Sequence, residues 1–116
     1  MLRHFCKSKI GHATVTEAEL LYEGSISIDE DLLKEVDILP GEKVDVLNIN
    51  NGNRFETYVI VGKAGSGQIC LNGPAARLGL VGDQIMILSY CLLNGEQAKE
   101  HTIKVVHLDK NNKIKS

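Results

Sequence analysis

The chain has 116 residues, 43% of them hydrophobic, and 13 Lys and Arg against 15 Asp and Glu leave a net charge of -2. That length fits one domain with a poor surface-to-volume ratio, which favours association with further copies. The apolar fraction argues against disorder, and the charge balance gives no electrostatic drive toward nucleic acid or an anionic membrane.

In chain order, Met1 to Phe5 lacks an apolar run and a small-residue cleavage site, so no secretory signal is expected. Lys9 to Thr16 reads as a strand rich in β-branched residues, and Ser25 to Ile28 as another. The period then changes. Asp29 suits a helix N-cap, with Glu30 and Asp31 in a first turn where negative charge is favoured. Ile28 can staple onto Leu33, while Leu32, Leu33 and Val36 line one face, and Pro40-Gly41 ends the helix.

Val44, Val46 and Ile49 belong to a strand that meets Asn51-Gly52, a two-residue hairpin signal, and Arg54 to Val61 returns from it. Gly62 to Gly67 reads as a flexible connection, Ile69 to Leu71 as a short strand, and Asn72-Gly73-Pro74 as a turn. Ala75 to Leu80 suits a short helix, Gln84 to Tyr90 a buried strand, Glu96 to His101 a helical turn, and Ile103 to Leu108 a last strand. The polar tail from Asp109 is expected to fray. Many short strands with brief helices point to a single, mainly β barrel over residues 1–116.

Several chemistries are missing. No phosphate-binding loop of the G-x-x-x-x-G-K-[ST] type occurs, no G-x-S-x-G elbow, and no paired histidine motif, so no metal site is expected. Cys6, Cys70 and Cys91 are odd in number and widely spaced, which fits reduced thiols in a cytoplasmic protein. No stretch is long enough to cross a bilayer as an apolar helix.

The informative run is Tyr22-Glu23-Gly24-Ser25-Ile26-Ser27-Ile28-Asp29. Further blocks accompany it in order: Lys9-Ile10 with Ala13 to Thr16, Asn51-Gly52-Asn53-Arg54-Phe55-Glu56-Thr57-Tyr58, Ile69 to Gly73, and Gly82-Asp83. Together they resemble the bacterial aspartate 1-decarboxylases from about Lys9 to Leu108. The resemblance implies a six-stranded double-psi β-barrel, assembled as a homotetramer with active sites between neighbouring subunits. It implies conversion of L-aspartate to β-alanine and carbon dioxide, for pantothenate and coenzyme A synthesis, through a Schiff base on a covalent pyruvoyl cofactor. The chain would make that cofactor itself by cutting between Gly24 and Ser25, giving a short chain 1–24 and a long chain 25–116.

Chemistry is consistent with these residues. Ser25 Oγ can attack the Gly24 carbonyl through a five-membered ring, and Gly24 has no Cβ to obstruct the approach. The resemblance assigns the oxyanion contact to Thr57 and the proton donor to Tyr58. It gives substrate binding to Lys9, Arg54, Thr57, Asn72, Gly73, Pro74 and Ala75, with Ser25 as the pyruvoyl position. Arg54 and Tyr58 stand four apart on one expected strand and so share a face. Two cations suit a substrate with two carboxylates; which takes which is open, as is any need for a maturation helper. Tyr22 could pack near Tyr58.

Two positions depart from the family pattern. Gly11-His12 stands where a histidine directly follows Lys-Ile, so His12 would face the opposite side if the register held. Pro74 replaces a usual alanine and removes an N–H from the pocket turn. These raise the alternative of a processed but inactive homologue. Ser25 to Asn48 also resembles the swapped-hairpin DNA-binding modules of transition-state regulators, but the net charge is wrong for a DNA face.

Overall fold

The computed structural model describes residues 1–115. Its strands are β1 (Arg3–Thr14), β2 (Glu17–Glu19), β3 (Ser25–Asp29), β4 (Lys43–Asn48), β5 (Arg54–Gly62), β6 (Ile69–Asn72), β7 (Gln84–Leu93) and β8 (Lys104–His107). Two short helices, α1 (Glu30–Val36) and α2 (Gly95–Ala98), and a 3-10 turn at Gly73–Arg77 complete it. The strands lie side by side in the order β2-β6-β3-β5-β4-β7-β1-β8. The short β2 and β8 occupy the two edges of this eight-stranded sheet. The fold is mainly β, as the sequence pattern indicates.

The ends of this sheet are drawn together just after β1. Val15 N–H donates to the Asp83 carbonyl at 2.9 Å, and Thr16 N–H to the Ile69 carbonyl at 2.8 Å, which ties β1 to the starts of β7 and β6. Alternating residues then fill the interior: Ile10, Ile26, Ile28, Val44, Val46, Ile69, Leu71, Ile85 and Ile87 are almost wholly buried. β-Branched side chains dominate this set because they pack well on a pleated surface.

The α1 cap is as expected: the Asp29 carboxylate accepts from Asp31 N–H at 2.9 Å. The helix ends earlier than Pro40, at Asp37 in the left-handed region. Several expectations change. Asn51-Gly52 is not a two-residue hairpin; Asn48 N–H donates to the Asn53 carbonyl, and the loop between them is held by the Asn48 side chain accepting from Asn50 and Asn51 N–H. The Gly62–Gly67 segment is not a loose connection. Gly65 N–H and Gly67 N–H, at 3.0 and 2.8 Å, both donate to the Asp29 carboxylate. The tail does not fray at Asn112, which is 1% exposed. Its amide clamps Thr14 through both N–H and carbonyl at 2.8 Å and also donates to the Gly67 carbonyl.

His12 needs a different account from simple alternation. β1 shifts register against β7 between Ile10 and Ala13, and His12 has φ +58 there. A bulge of this kind re-aims side chains, so parity along the strand does not decide where His12 points. Its ring lies 5.3 Å from that of His107. A Cβ on Gly11 would meet the His107 ring at 2.7 Å, so the small residue makes room for His107.

Candidate active site

β3 starts at Ser25 and lies between β6 and β5. Against β6 the register is antiparallel, with Ser25 opposite Asn72 and Ser27 opposite Cys70. Against β5 it is parallel, with Ile26 beside Val59. Continuing that register back brings Ser25 level with Tyr58 and Gly24 level with Thr57. The Gly24–Ser25 peptide bond therefore runs alongside the Thr57–Tyr58 step.

Ser25 is fully buried. Its hydroxyl donates to the Glu23 carbonyl at 3.2 Å and accepts from Asn72 Nδ2 at 3.0 Å. Gly73 explains the cover over this bond. It sits at φ +63, and a Cβ there would meet the Tyr22 carbonyl oxygen at 2.5 Å and Gly24 N at 2.8 Å. Only glycine allows the Asn72-Gly73 backbone to press on the Tyr22–Gly24 segment this closely.

Pro74 opens the 3-10 turn, a position whose N–H has no partner within a helix. Its ring lies 3.3 Å from where a Gly24 Cβ would stand. The proline thus packs against the bond rather than distorting the turn. A pocket of about 370 Å³ opens beside it, lined by Gly24, Phe55, Glu56, Thr57, Tyr58, Pro74, Ala75 and Leu78. Thr57 is half-buried, Tyr58 is exposed, and Ala75 is buried in the pocket wall. Tyr22 is also exposed, and the structure gives it no ring contact with Tyr58 among the described residues.

One chain brings together Gly24, Ser25, Thr57, Tyr58, Asn72, Gly73, Pro74 and Ala75. It does not bring Lys9 or Arg54 to them. Arg54 shares the outer face of β5 with Tyr58, but four residues along a strand is about 13 Å. Its Nη2 donates to Asp45 Oδ2 at 3.0 Å and to Tyr90 Oη at 3.1 Å. Lys9 lies on β1, opposite Leu88 of β7 and beside Val105 of β8, and does not line the pocket.

Residues missed by the sequence reading are Cys70 and Ser27, which flank Asn72, and Asp45 and Tyr90, which hold Arg54. Burial raises the Tyr90 hydroxyl pKa, and the nearby Asp45 charge adds to this. Among the described residues no group of three His, Cys, Asp or Glu side chains could hold a metal ion, and no helix is long and apolar enough to cross a membrane.

The Ser25 position fits a small carbonyl group. Asn72 Nδ2 is a buried donor aimed at it, and the glycines at 24 and 73 place no side chain of their own beside it.

Comparison with known proteins decides the family. The aspartate decarboxylase family model matches residues 1–115. The chain belongs to the aspartate decarboxylase family. It is 61% identical over 114 residues to the aspartate 1-decarboxylase of Caldicellulosiruptor saccharolyticus, covering 98% of this chain and 89% of that one. The aspartate 1-decarboxylase of Thermoanaerobacter pseudethanolicus is 58% identical, with 97% of each chain covered. That of Staphylococcus epidermidis is 55% identical, covering 98% of this chain and 89% of that one. A crystal structure of a rationally designed protein overlaps 68% of this chain and 91% of its own, with a TM-score of 0.49 at 15% identity. The family match includes Ser25 to Asn48, so the DNA-binding reading of that segment is not retained.

Proposed function

We propose that the chain is a carboxy-lyase that converts L-aspartate to β-alanine and carbon dioxide, using a pyruvoyl group made from Ser25. The observation that carries this is a Gly24–Ser25 bond whose serine is buried against Asn72 and whose glycine lines a pocket with Thr57, Tyr58 and Pro74, in a chain of the aspartate decarboxylase family.

The cut begins when Ser25 Oγ attacks the Gly24 carbonyl carbon. Thr57, level with Gly24, donates its hydroxyl to the developing oxyanion. The C–N bond breaks, the hydroxyl proton passes to the Ser25 nitrogen, and an ester joins Gly24 to Ser25 Oγ. Loss of the Ser25 α-proton expels the Gly24 carboxylate and leaves a dehydroalanine. Water then adds, ammonia leaves, and residue 25 becomes pyruvoyl. The products are chains 1–24 and 25–116.

A pyruvoyl group at residue 25 would supply a ketone for the substrate amine and an electron sink for decarboxylation. The chain's own residues do the rest. Asn72 Nδ2 is the donor at position 25. Pro74 and Ala75 form one wall of the pocket, and Gly73 lets the turn before them lie against the Tyr22–Gly24 segment. Tyr58 returns a proton to carbon after carbon dioxide leaves. Arg54 takes one carboxylate through its planar fork and Lys9 the other.

Because neither Lys9 nor Arg54 lines the pocket beside Gly24 within one chain, a neighbouring copy is proposed to bring them to it. A homotetramer in the cytoplasm, serving pantothenate synthesis, is the assembly proposed.

The test is intact-mass analysis of the purified protein after warm incubation. The expected result is chain 1–24 together with a chain 25–116 lighter by one ammonia than a serine-started one, and carbon dioxide release from aspartate in the same preparation. A chain that stays whole, with and without cell extract, overturns the proposal.

A further inference from the structure

An amide side chain has two unlike ends, and its effect on Ser25 depends on which end faces it. Both ends of Asn72 are in use. Nδ2 donates to Ser25 Oγ at 3.0 Å and to Ser27 Oγ at 2.9 Å, while Oδ1 accepts from the Cys70 thiol at 3.2 Å. The four side chains form a square. Cys70 and Asn72 are two apart on β6, Ser25 and Ser27 two apart on β3, and the register sets Ser25 opposite Asn72 and Ser27 opposite Cys70. All four are buried: Ser25 0%, Asn72 2%, Cys70 2% and Ser27 8% exposed.

The square has one consistent pattern of donors. The Ser25 proton goes to the Glu23 carbonyl, which leaves Oγ to accept from Asn72. Both amide hydrogens of Asn72 are then spent on the two serines. Its oxygen needs a donor, and the thiol is the one beside it. Turning the amide over would set NH₂ against sulfur, a weak acceptor, and pull the Ser25 proton away from Glu23. Burial, reinforced by the charges of Glu17 and Glu19, pushes the Cys70 thiol up to about 11. It therefore keeps its proton at neutral pH and remains a donor.

We infer that Cys70 and Ser27 are positioning residues for the cut at Gly24–Ser25, holding Asn72 with its NH₂ edge toward the Ser25 hydroxyl. This rests on the reading of Gly24–Ser25 as the processing site. Neither residue touches the Gly24 carbonyl. Their effect passes through Asn72, which keeps Ser25 Oγ in one rotamer between Nδ2 and the Glu23 carbonyl.

The experiment follows the disappearance of whole chain by mass for the unaltered protein and for Cys70→Ser, Cys70→Ala, Ser27→Ala, Asn72→Ala and the Cys70→Ala/Asn72→Ala pair. Loss of one buried hydrogen bond predicts a cut about tenfold slower in Cys70→Ala, with Ser27→Ala slowed similarly. Cys70→Ser keeps a donor and should stay within about threefold of the unaltered rate. In the Asn72→Ala background, Cys70→Ala should cost nothing further, because its partner is gone.

The inference alone is overturned if Cys70→Ala cuts at the unaltered rate. It is also overturned if Cys70→Ser is as slow as Cys70→Ala, or if the Cys70→Ala loss persists undiminished without Asn72, since its role is then core packing. An unaltered protein that never cuts overturns the processing reading itself, and this inference with it.

Discussion

Thr57 and Tyr58 are neighbours in sequence but present different groups to different parts of the site. Thr57 lies level with Gly24 and lines the pocket beside it, while Tyr58 is level with Ser25 and exposed. Thr57→Val removes the hydroxyl and nearly keeps the shape, so it should block the cut; normal processing of this variant, read by mass, would rule out the oxyanion role. Tyr58→Phe removes only the phenolic proton and should leave the cut largely intact while slowing β-alanine formation. Arg54 is held by Asp45 and Tyr90, which fixes its fork on the outer face of β5. Arg54→Lys keeps the charge and loses that geometry. Aspartate turnover should fall on the order of 10²-fold, with self-cleavage affected far less, because no substrate is present during it. Turnover at the unaltered rate would require another residue to be the clamp.

At the level of elements, Asp29 joins three pieces of the chain. It ends β3, caps α1, and receives the Gly65 and Gly67 N–H groups of the glycine loop. Burial alone would raise its pKa, but the N–H groups of Gly67, Asp31 and Gly65 and the Lys113 charge outweigh this and hold it below the usual carboxylate range. A carboxyl whose folded pKa is depressed contributes stability that is fully present above its unfolded pKa, near 4. That contribution is lost as pH falls through the lower, folded value. Asp29→Ala should therefore cost about 2 kcal/mol at neutral pH, through the lost cap and loop contacts, and the difference from the unaltered protein should shrink on acidification below about pH 4. Thermal melts at pH 7 and pH 3 measure this; a gap that is equal at both pH values would assign the loss to packing. Asn112 does the equivalent work for the tail, joining Thr14 to Gly67.

For the whole molecule, the decisive observation is that neither Lys9 nor Arg54 lines the pocket beside Gly24 within one chain. Apolar side chains also remain on the surface close to Gly24–Ser25, with Leu20 44%, Leu21 100% and Tyr22 56% exposed. A homotetramer would cover such groups and supply the missing cations. Sedimentation of the purified protein should give a mass near four chains. Ser25→Ala and Lys9→Ala should each be inactive alone, yet regain part of the activity when co-expressed, since mixed assemblies would pair an intact residue 25 with an intact Lys9 from another copy. Mixed assemblies that form and remain inactive would show that one chain supplies both groups.

The sequence by itself determined the elements whose physics is local. The Asp29 cap, the apolar face of α1 and the polar-apolar alternation at the start of β5 were legible because each depends on neighbours a few residues away, whereas the Gly24-Ser25, Arg54 and Thr57-Tyr58 blocks stood out only through their resemblance to a family. Only the tertiary structure decided the rest. The His12 bulge depends on a register shift against β7, which no alternation along β1 encodes. The glycine loop and the tail looked mobile because their order comes from distant partners: the Asp29 carboxylate for one, Thr14 and Gly67 for the other. Cys70 and Ser27 were unremarkable letters until β6 lay against β3 and set both beside Asn72. Hydrogen bonds across such separations are fixed by strand pairing, and pairing is a property of the whole barrel rather than of any one segment.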